Sequence, residues 1–454
     1  MPYVPHTEQE TRDMLAAIGV PRLADMFADV PAAVRFPVLD LPPAVSELEV
    51  MGEMRSLAAR NASVDPALSF LGAGAYHHFR PAVVDYVLGR GEFYTSYTQY
   101  QPEASQGYLQ ALFEYQSMIC RLTGMDVSNA THYDGATALA EAVHLALGAG
   151  QGKRNQIVMS PSVHPQWRAV VRTYLRGTPM VRIVGDADGR APLTHLCKLV
   201  DGETAALVVQ SPNFFGQWEA LDAAAETVRR AGAPLIVITD PIALGMMPPP
   251  GACGADVVVA DGQPLGIPPS FGGPYLGIFA ARKEYVRRMS GHLVGETVDA
   301  DGRRGYVLTL STREQHIRRA KATSNICTNS ALCALAAATY LATLGKAGLR
   351  RVAELCYHKS HYAASAIGGL PGFAVNPQAP AQPFFKEFVV RLPRPVTQVN
   401  ARLREDGIVG GYDLGADYPH LAGHMLLAVT EVNTRTAIDR LVEALRKITA
   451  WGGP

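Results

Sequence analysis

Apolar residues recur along this chain in two rhythms. Beyond Ala104, the positions Tyr108, Leu112, Tyr115, Ile119 and Leu122 follow alternating intervals of four and three, the stripe of one buried helix face, and Gly124 stands where a helix C-terminal glycine belongs. Further on, short β-rich runs at 157–159, 206–209, 235–238, 257–260 and 275–279 alternate with helical stretches. Runs apolar throughout, spaced for right-handed crossovers, predict a mainly parallel sheet covered on both faces. A long helix is predicted over 329–344, then strands at 388–392 and 425–429 and a closing helix near 436–449. At the other end, Pro31, Pro37, Pro42 and Pro43 limit helix length. The expected organisation is an N-terminal arm over 1–65, a large α/β domain over 66–330 and a small α+β domain over 331–454.

Composition narrows the class of protein. With 454 residues, 48% of them apolar and 18% charged, the chain can bury a large interior and exceeds what one core usually serves. Lys plus Arg and Asp plus Glu both number 41, so no global field attracts nucleic acid or an anionic membrane, and any function rests on local sites. Weak charge repulsion leaves room for apolar surface covered by another subunit, and an oligomer is expected. Six cysteines without a CxxC spacing read as reduced thiols. Neither a basic-then-apolar leader nor an apolar run long enough to cross a bilayer is apparent, and a cytoplasmic location is expected.

In an open α/β sheet ligands sit beyond the carboxyl ends of the strands, so residues that follow the β runs come first. Asp134-Gly135-Ala136-Thr137-Ala138 opens a helix and could offer N–H groups and a hydroxyl to a phosphate, or form an ordinary capped start. Asp240 follows the run at 235–238, where a buried carboxylate suits a cationic ring nitrogen but could equally cap a helix. Asp261-Gly262-Gln263 and Phe271-Gly272-Gly273-Pro274 form a glycine-dense stretch that fits close backbone approach. No GxGxxG follows a strand, and Gly148-Ala149-Gly150-Gln151-Gly152-Lys153-Arg154 fails the P-loop register. His358 with His361, and His420 with His424, have ligand-like spacings without an apparent third ligand, so no metal is expected.

These motifs, with Ser69-Phe70-Leu71-Gly72-Ala73-Gly74, Tyr100-Gln101-Pro102-Glu103, Pro212-Asn213-Phe214-Phe215-Gly216, Thr312-Arg313-Glu314-Gln315-His316-Ile317-Arg318-Arg319 and Lys321-Ala322-Thr323-Ser324-Asn325, run nearly end to end. In them the chain closely resembles the P-protein (glycine decarboxylase) of the glycine cleavage system, in particular the first subunits of its two-subunit form. Gln99 replaces the usual proline and Ala320 the usual glutamate. The resemblance implies a pyridoxal-phosphate-dependent transferase of fold type I, aspartate aminotransferase-like, with a small C-terminal α+β domain. The chemistry of that cofactor requires a lysine amine for the internal Schiff base. Yet the chain has only eight lysines and none between Lys198 and Lys283. Aligned on Gly272-Gly273-Pro274, Gln263 falls at the lysine position.

The resemblance therefore implies a subunit that shares a site with a partner: glycine dehydrogenase subunit 2, which holds pyridoxal 5'-phosphate covalently, in a heterotetramer of two copies of each. Glycine loses its carboxylate, and the aminomethyl group passes to the lipoyl group of the H-protein. On this reading Thr323, Ser324 and Asn325 reach the phosphate of the partner's cofactor, and Tyr97, Tyr100, Gln101 and Glu103 line the glycine or lipoyl entry route. A vestigial cofactor pocket remains at Gly135, Ala136, Thr137, His164, Asp240 and Gln263. The rival readings are a self-sufficient pyridoxal enzyme using another lysine, such as Lys321, and a purely structural subunit that docks the H-protein.

Overall fold

The structure, a computed structural model, describes residues 5–61, 65–95, 97–150, 152–178, 181–184, 192–326 and 330–449. The chain forms two compact units, Met1–Ser63 and Val64–Pro454. In the first, the helices Glu8–Ile18 and Glu47–Ala58 each begin with a reciprocal cap, Thr7 with Glu10 and Ser46 with Glu49. None of its described side chains is buried, and Phe36, Val38, Leu39, Leu41 and Leu48 all lie exposed.

The second unit is built on a seven-stranded sheet: β1 (Val127–Ser128), β2 (Gln156–Met159), β3 (Arg182–Val184), β4 (Thr204–Gln210), β5 (Leu235–Thr239), β6 (Val257–Asp261) and β7 (Gly277–Ala281). Their spatial order is β1-β7-β6-β5-β4-β2-β3. Strands β2 to β6 run parallel, whereas β7 lies antiparallel to β6 and to β1. Alternate residues explain why whole runs are apolar. Leu207, Val209, Leu235 and Val237 pack with the helix Gln106–Thr123 on one face, and Val208, Ile236 and Ile238 with the helix Gly135–Ala149 on the other. Gly124 ends the first of these helices in the left-handed conformation, φ 71°.

A hairpin of β8 (Leu293–Val298) and β9 (Arg304–Thr309) follows. The helix predicted over 329–344 is present from Ala331 to a break at Gly345, which takes φ 57°, and a second helical stretch continues from there to Gly368. By length and composition this element could cross a bilayer, which corrects the expectation that no apolar run could. Here its first part packs in the core of the large sheet, and its last turns, with Ala363 and Ile367, pack on a second sheet. That sheet comprises β10 (Ala374–Val375), β11 (Glu387–Arg391), β12 (Tyr412–Asp413) and β13 (His424–Ala428), all antiparallel in the order β10-β11-β13-β12. The helix Arg435–Thr449 completes its core through Ile438, Leu441 and Leu445. The last residue before β11, Lys386, thereby faces the carboxyl ends of β5 and β6.

Candidate functional site

The parallel strands end side by side, β5 running into Asp240 and β6 closing on Asp261. Beyond them lies a cavity of ≈ 50 Å³ lined by Tyr76, His164, Trp167, Asp240, Asp261 and Lys386, among others. Several of its polar groups are paired, with one another or with nearby backbone.

The carboxylate of Asp240 forms an ion pair with the Lys386 ammonium, and both side chains are almost wholly buried, at 14% and 2% exposure. Burial alone would raise the Asp240 pKa; the lysine and the neighbouring His78 bring it below the usual carboxylate value. The same ammonium lies 3.3 Å from the centre of the Tyr76 ring and 3.5 Å from His78 Nε2. Next to it, Glu387 accepts from the Ala73 N–H at 2.7 Å and from the Tyr76 hydroxyl at 2.9 Å, and burial pushes its carboxyl up to about 7. Behind the lysine, His78 Nδ1 meets Glu431 at 2.7 Å. Burial opposes ionisation of Glu431, yet His78 holds its pKa down at about 2.

Gln263 is fully buried and spends its amide on backbone. Its oxygen accepts from Tyr76 N–H at 2.9 Å, and its nitrogen donates to Tyr76 O at 2.9 Å and Ile267 O at 2.7 Å. At the helix start, the Gly135 N–H donates to Asp261 at 3.1 Å, and the second Asp261 oxygen accepts from Gln263 N–H at 2.9 Å. Burial lifts Asp261 to about 7. Thr137 is tied to Asp134 through both N–H and hydroxyl, at 2.7 and 2.8 Å, and Ala136 is buried. A Cβ built on Gly135 would meet the Trp167 ring at 2.1 Å, so the indole fills the space over this helix N-terminus. His164 bonds Ala73 O through Nε2 at 2.8 Å while its Nδ1 accepts from Gln166 N–H, and burial lowers its pKa. Of the six residues expected here, His164 and Asp240 line the cavity, Gly135 and Gln263 adjoin it through their N–H groups on Asp261, and Ala136 and Thr137 lie outside its lining.

The remaining expected site residues lie on the surface. Thr323 and Asn325 are exposed, whereas Ser324 between them turns inward and donates to Glu141 at 2.8 Å. Tyr97, 82% exposed, borders an open hollow of ≈ 450 Å³ with Phe93, Tyr94, Tyr108, Ser330 and Cys333. Tyr100 diverges from it and packs edge-on against His292 and His316, with ring centres 6.0 and 5.8 Å away. Gln101 and Glu103 are exposed beside the turn Pro102–Ala104. Lys386, Trp167 and Glu141 carried no assignment from the sequence. The one signal for Lys386 is a charged pair inside the apolar run Phe384-Phe385-Lys386-Glu387-Phe388, which calls for a buried partner.

The fold is that of the pyridoxal-phosphate-dependent enzymes of fold type I, the class to which the solved structures that superpose on it belong. Glutamate decarboxylase of Lactobacillus brevis superposes with a TM-score of 0.66 at 14% identity, over 92% of this chain and 96% of that one. A crystal structure of glycine decarboxylase (P-protein) of the glycine cleavage system, in inhibitor-bound form, superposes with a TM-score of 0.89 at 44% identity, covering 99% and 100% of the two chains. The family model of the glycine cleavage system P-protein matches residues 1–445, and the chain belongs to that family. It is 55% identical to the probable glycine dehydrogenase (decarboxylating) subunit 1 of Thermomicrobium roseum, over 99% of this chain and 100% of that protein. To the protein of the same name from Geobacillus kaustophilus it is 54% identical, over 98% of each.

Pyridoxal phosphate does not fit this chain's own pocket. Cofactor sites usually span about 300 Å³ or more, against ≈ 50 Å³ here. The carboxylate suited to the ring nitrogen already holds a cation, Trp167 covers the helix N-terminus suited to the phosphate, and Gln263 offers no amine.

Proposed function

We propose that this chain is the cofactor-free subunit of a two-subunit glycine decarboxylase, acting with subunit 2 in a heterotetramer of two copies of each. The observation that carries the reading is Gln263: a fully buried amide, hydrogen-bonded at both ends, where a Schiff-base lysine is required. The partner holds pyridoxal 5'-phosphate covalently, and that cofactor supplies the electron sink for decarboxylating glycine. The aminomethyl group then passes to the lipoyl group of the H-protein.

This chain's own work is positioning and exclusion of water. Thr323 and Asn325 are exposed donors on either side of the anchored Ser324, suited to the phosphate of the partner's cofactor. The Ser324 hydroxyl, which the resemblance also assigns to the phosphate, is engaged by Glu141 and acts as the pin that holds its neighbours outward. Tyr97, with Phe93 and Tyr94, supplies an aromatic wall that keeps water from the reacting carbon when the partner closes over it. Gln101 and Glu103 complete the rim of the glycine or lipoyl route, and Tyr100 sets its position from below, against His292 and His316.

The test is reconstitution with subunit 2, lipoylated H-protein and glycine, following release of carbon dioxide. The reading predicts no turnover by either subunit alone and turnover by the mixture, weakened by Thr323→Ala. Turnover by this chain alone would overturn it.

A further inference from the structure

We propose that the pocket beyond β5 and β6 is a cofactor site closed from within: the Lys386 ammonium takes the place on Asp240 that a cationic ring nitrogen takes in fold type I, and the pair latches the small sheet to the large one. Three features carry this. Asp240 follows β5 of the seven-stranded sheet, and Lys386 immediately precedes β11 of the four-stranded one, so the ion pair spans both layers. The ammonium is buried, lies over the Tyr76 ring and close to His78, and so makes a complete cation site without solvent. The segment around Tyr76 is clasped from both sides, by Gln263 from the large sheet and by Glu387 from the small one.

A lysine in this place does two things. It neutralises a carboxylate that would otherwise be stranded in an apolar interior once no cofactor binds, the situation in which an unpaired buried charge costs most. It also fixes the small sheet against the large one, so this subunit presents a rigid face rather than closing on a ligand. Lys386 is thus a structural stand-in for a cofactor atom. Its amine is committed to Asp240, at the opposite end of the pocket's chemistry from a Schiff base.

The experiment uses the full chain and the variants Lys386→Ala, Lys386→Met, Asp240→Asn and the double variant Asp240→Asn with Lys386→Met. Lys386→Ala removes the atoms of a propylammonium ion. Its melting temperature is expected to fall by roughly 5 °C, from the usual cost of breaking a buried pair spread over a unit of this size. Millimolar propylammonium chloride is expected to restore most of that loss, where sodium chloride does not. The double variant is expected to melt above both Asp240→Asn and Lys386→Met. Added pyridoxal phosphate leaves the tryptophan fluorescence of the wild-type chain, with Trp167 in the pocket wall, unchanged beyond the inner-filter control. If Lys386→Ala and Lys386→Met melt within 1 °C of wild type, a figure set by about 1 kcal/mol over this unit, or the double variant shows the sum of the single losses, the latch is refuted. Quenching by pyridoxal phosphate that Asp240→Asn abolishes would refute the closed pocket.

Discussion

The anchoring of Ser324 turns a sequence motif into a measurable coupling. Its hydroxyl donates to Glu141 at 2.8 Å and accepts the Ile326 N–H at 3.1 Å, and farther along Ser330 N–H is held by Thr131 at 3.0 Å. Glu141 sits at 5% exposure in a mostly apolar helix, and burial raises its carboxyl pKa above the usual value. Replacing Ser324 by alanine removes a hydrogen bond to a buried carboxyl group, worth about 1.5–3 kcal/mol when the acceptor is charged. If the bond serves to hold Thr323 and Asn325 toward the partner's cofactor, that energy reappears as a weakening of pyridoxal phosphate retention by the assembled complex of about tenfold or more, at 1.4 kcal/mol per factor of ten. Equilibrium dialysis of the cofactor against complexes carrying Ser324→Ala, Glu141→Ala, Glu141→Gln or both alanines measures it, with assembly checked by size-exclusion chromatography. Both alanine variants should weaken retention alike, the pair no more than either alone, and Glu141→Gln, which keeps an acceptor, should recover most of it. Unchanged retention in both alanine variants with intact assembly would refute the anchoring. If Thr323→Ala were silent too, the phosphate role itself would fall.

Removing residues 1–60, whose described apolar side chains are all unburied in the chain itself, should leave the second unit folded and lower its affinity for subunit 2, read by analytical ultracentrifugation. Tyr97→Ala should slow turnover of the complex while leaving its melting temperature unchanged, because the side chain is exposed. Tyr100→Ala, which vacates a place against His292 and His316, should lower the melting temperature as well. The carboxyls of Asp261 and Glu387, both raised by burial to about 7, keep their protons in the folded chain after the unfolded chain has lost them. Their contribution to stability therefore declines as pH rises from about 4 to 7, and Asp261→Asn should remove about half of that slope in urea melts. Glu431, held near 2, works the other way: its contribution is complete above the unfolded carboxylate value and is lost as pH falls toward 2, a loss that Glu431→Gln should abolish.

Periodicity exposed the elements whose burial is one-sided or complete. The stripe from Tyr108 to Leu122 gave the helix Gln106–Thr123, and the wholly apolar runs gave β2, β4, β5 and β6 within two residues at either end. The run at 275–279 marks β7 two residues early, because Tyr275 lies in the turn, bonding Pro269 O through its hydroxyl. Strand β3 has three residues and a partly exposed edge position, and the hairpin β8–β9 buries little beyond Leu293, Val294 and Tyr306, so neither carries an apolar run. In the pocket, Asp240 was legible because it follows β5, and beside it Gln263 was singled out by the resemblance. Lys386 was not, since its partner lies 146 positions away across two sheets. Trp167 was missed because a tryptophan on an amphipathic helix reads as core, and only its approach to Gly135 reveals that it covers a helix N-terminus.

A chain that shapes a cofactor site without carrying the cofactor is distinguished from one that carries it by borohydride reduction. The reconstituted complex, incubated with pyridoxal phosphate, would be reduced and digested, and the pyridoxyl group located by mass spectrometry; this chain alone would be treated identically. A stoichiometric pyridoxyl-lysine is expected on subunit 2 and none on this chain in either sample. A stoichiometric pyridoxyl group on any of this chain's eight lysines, Lys386 in its pocket above all, would contradict it.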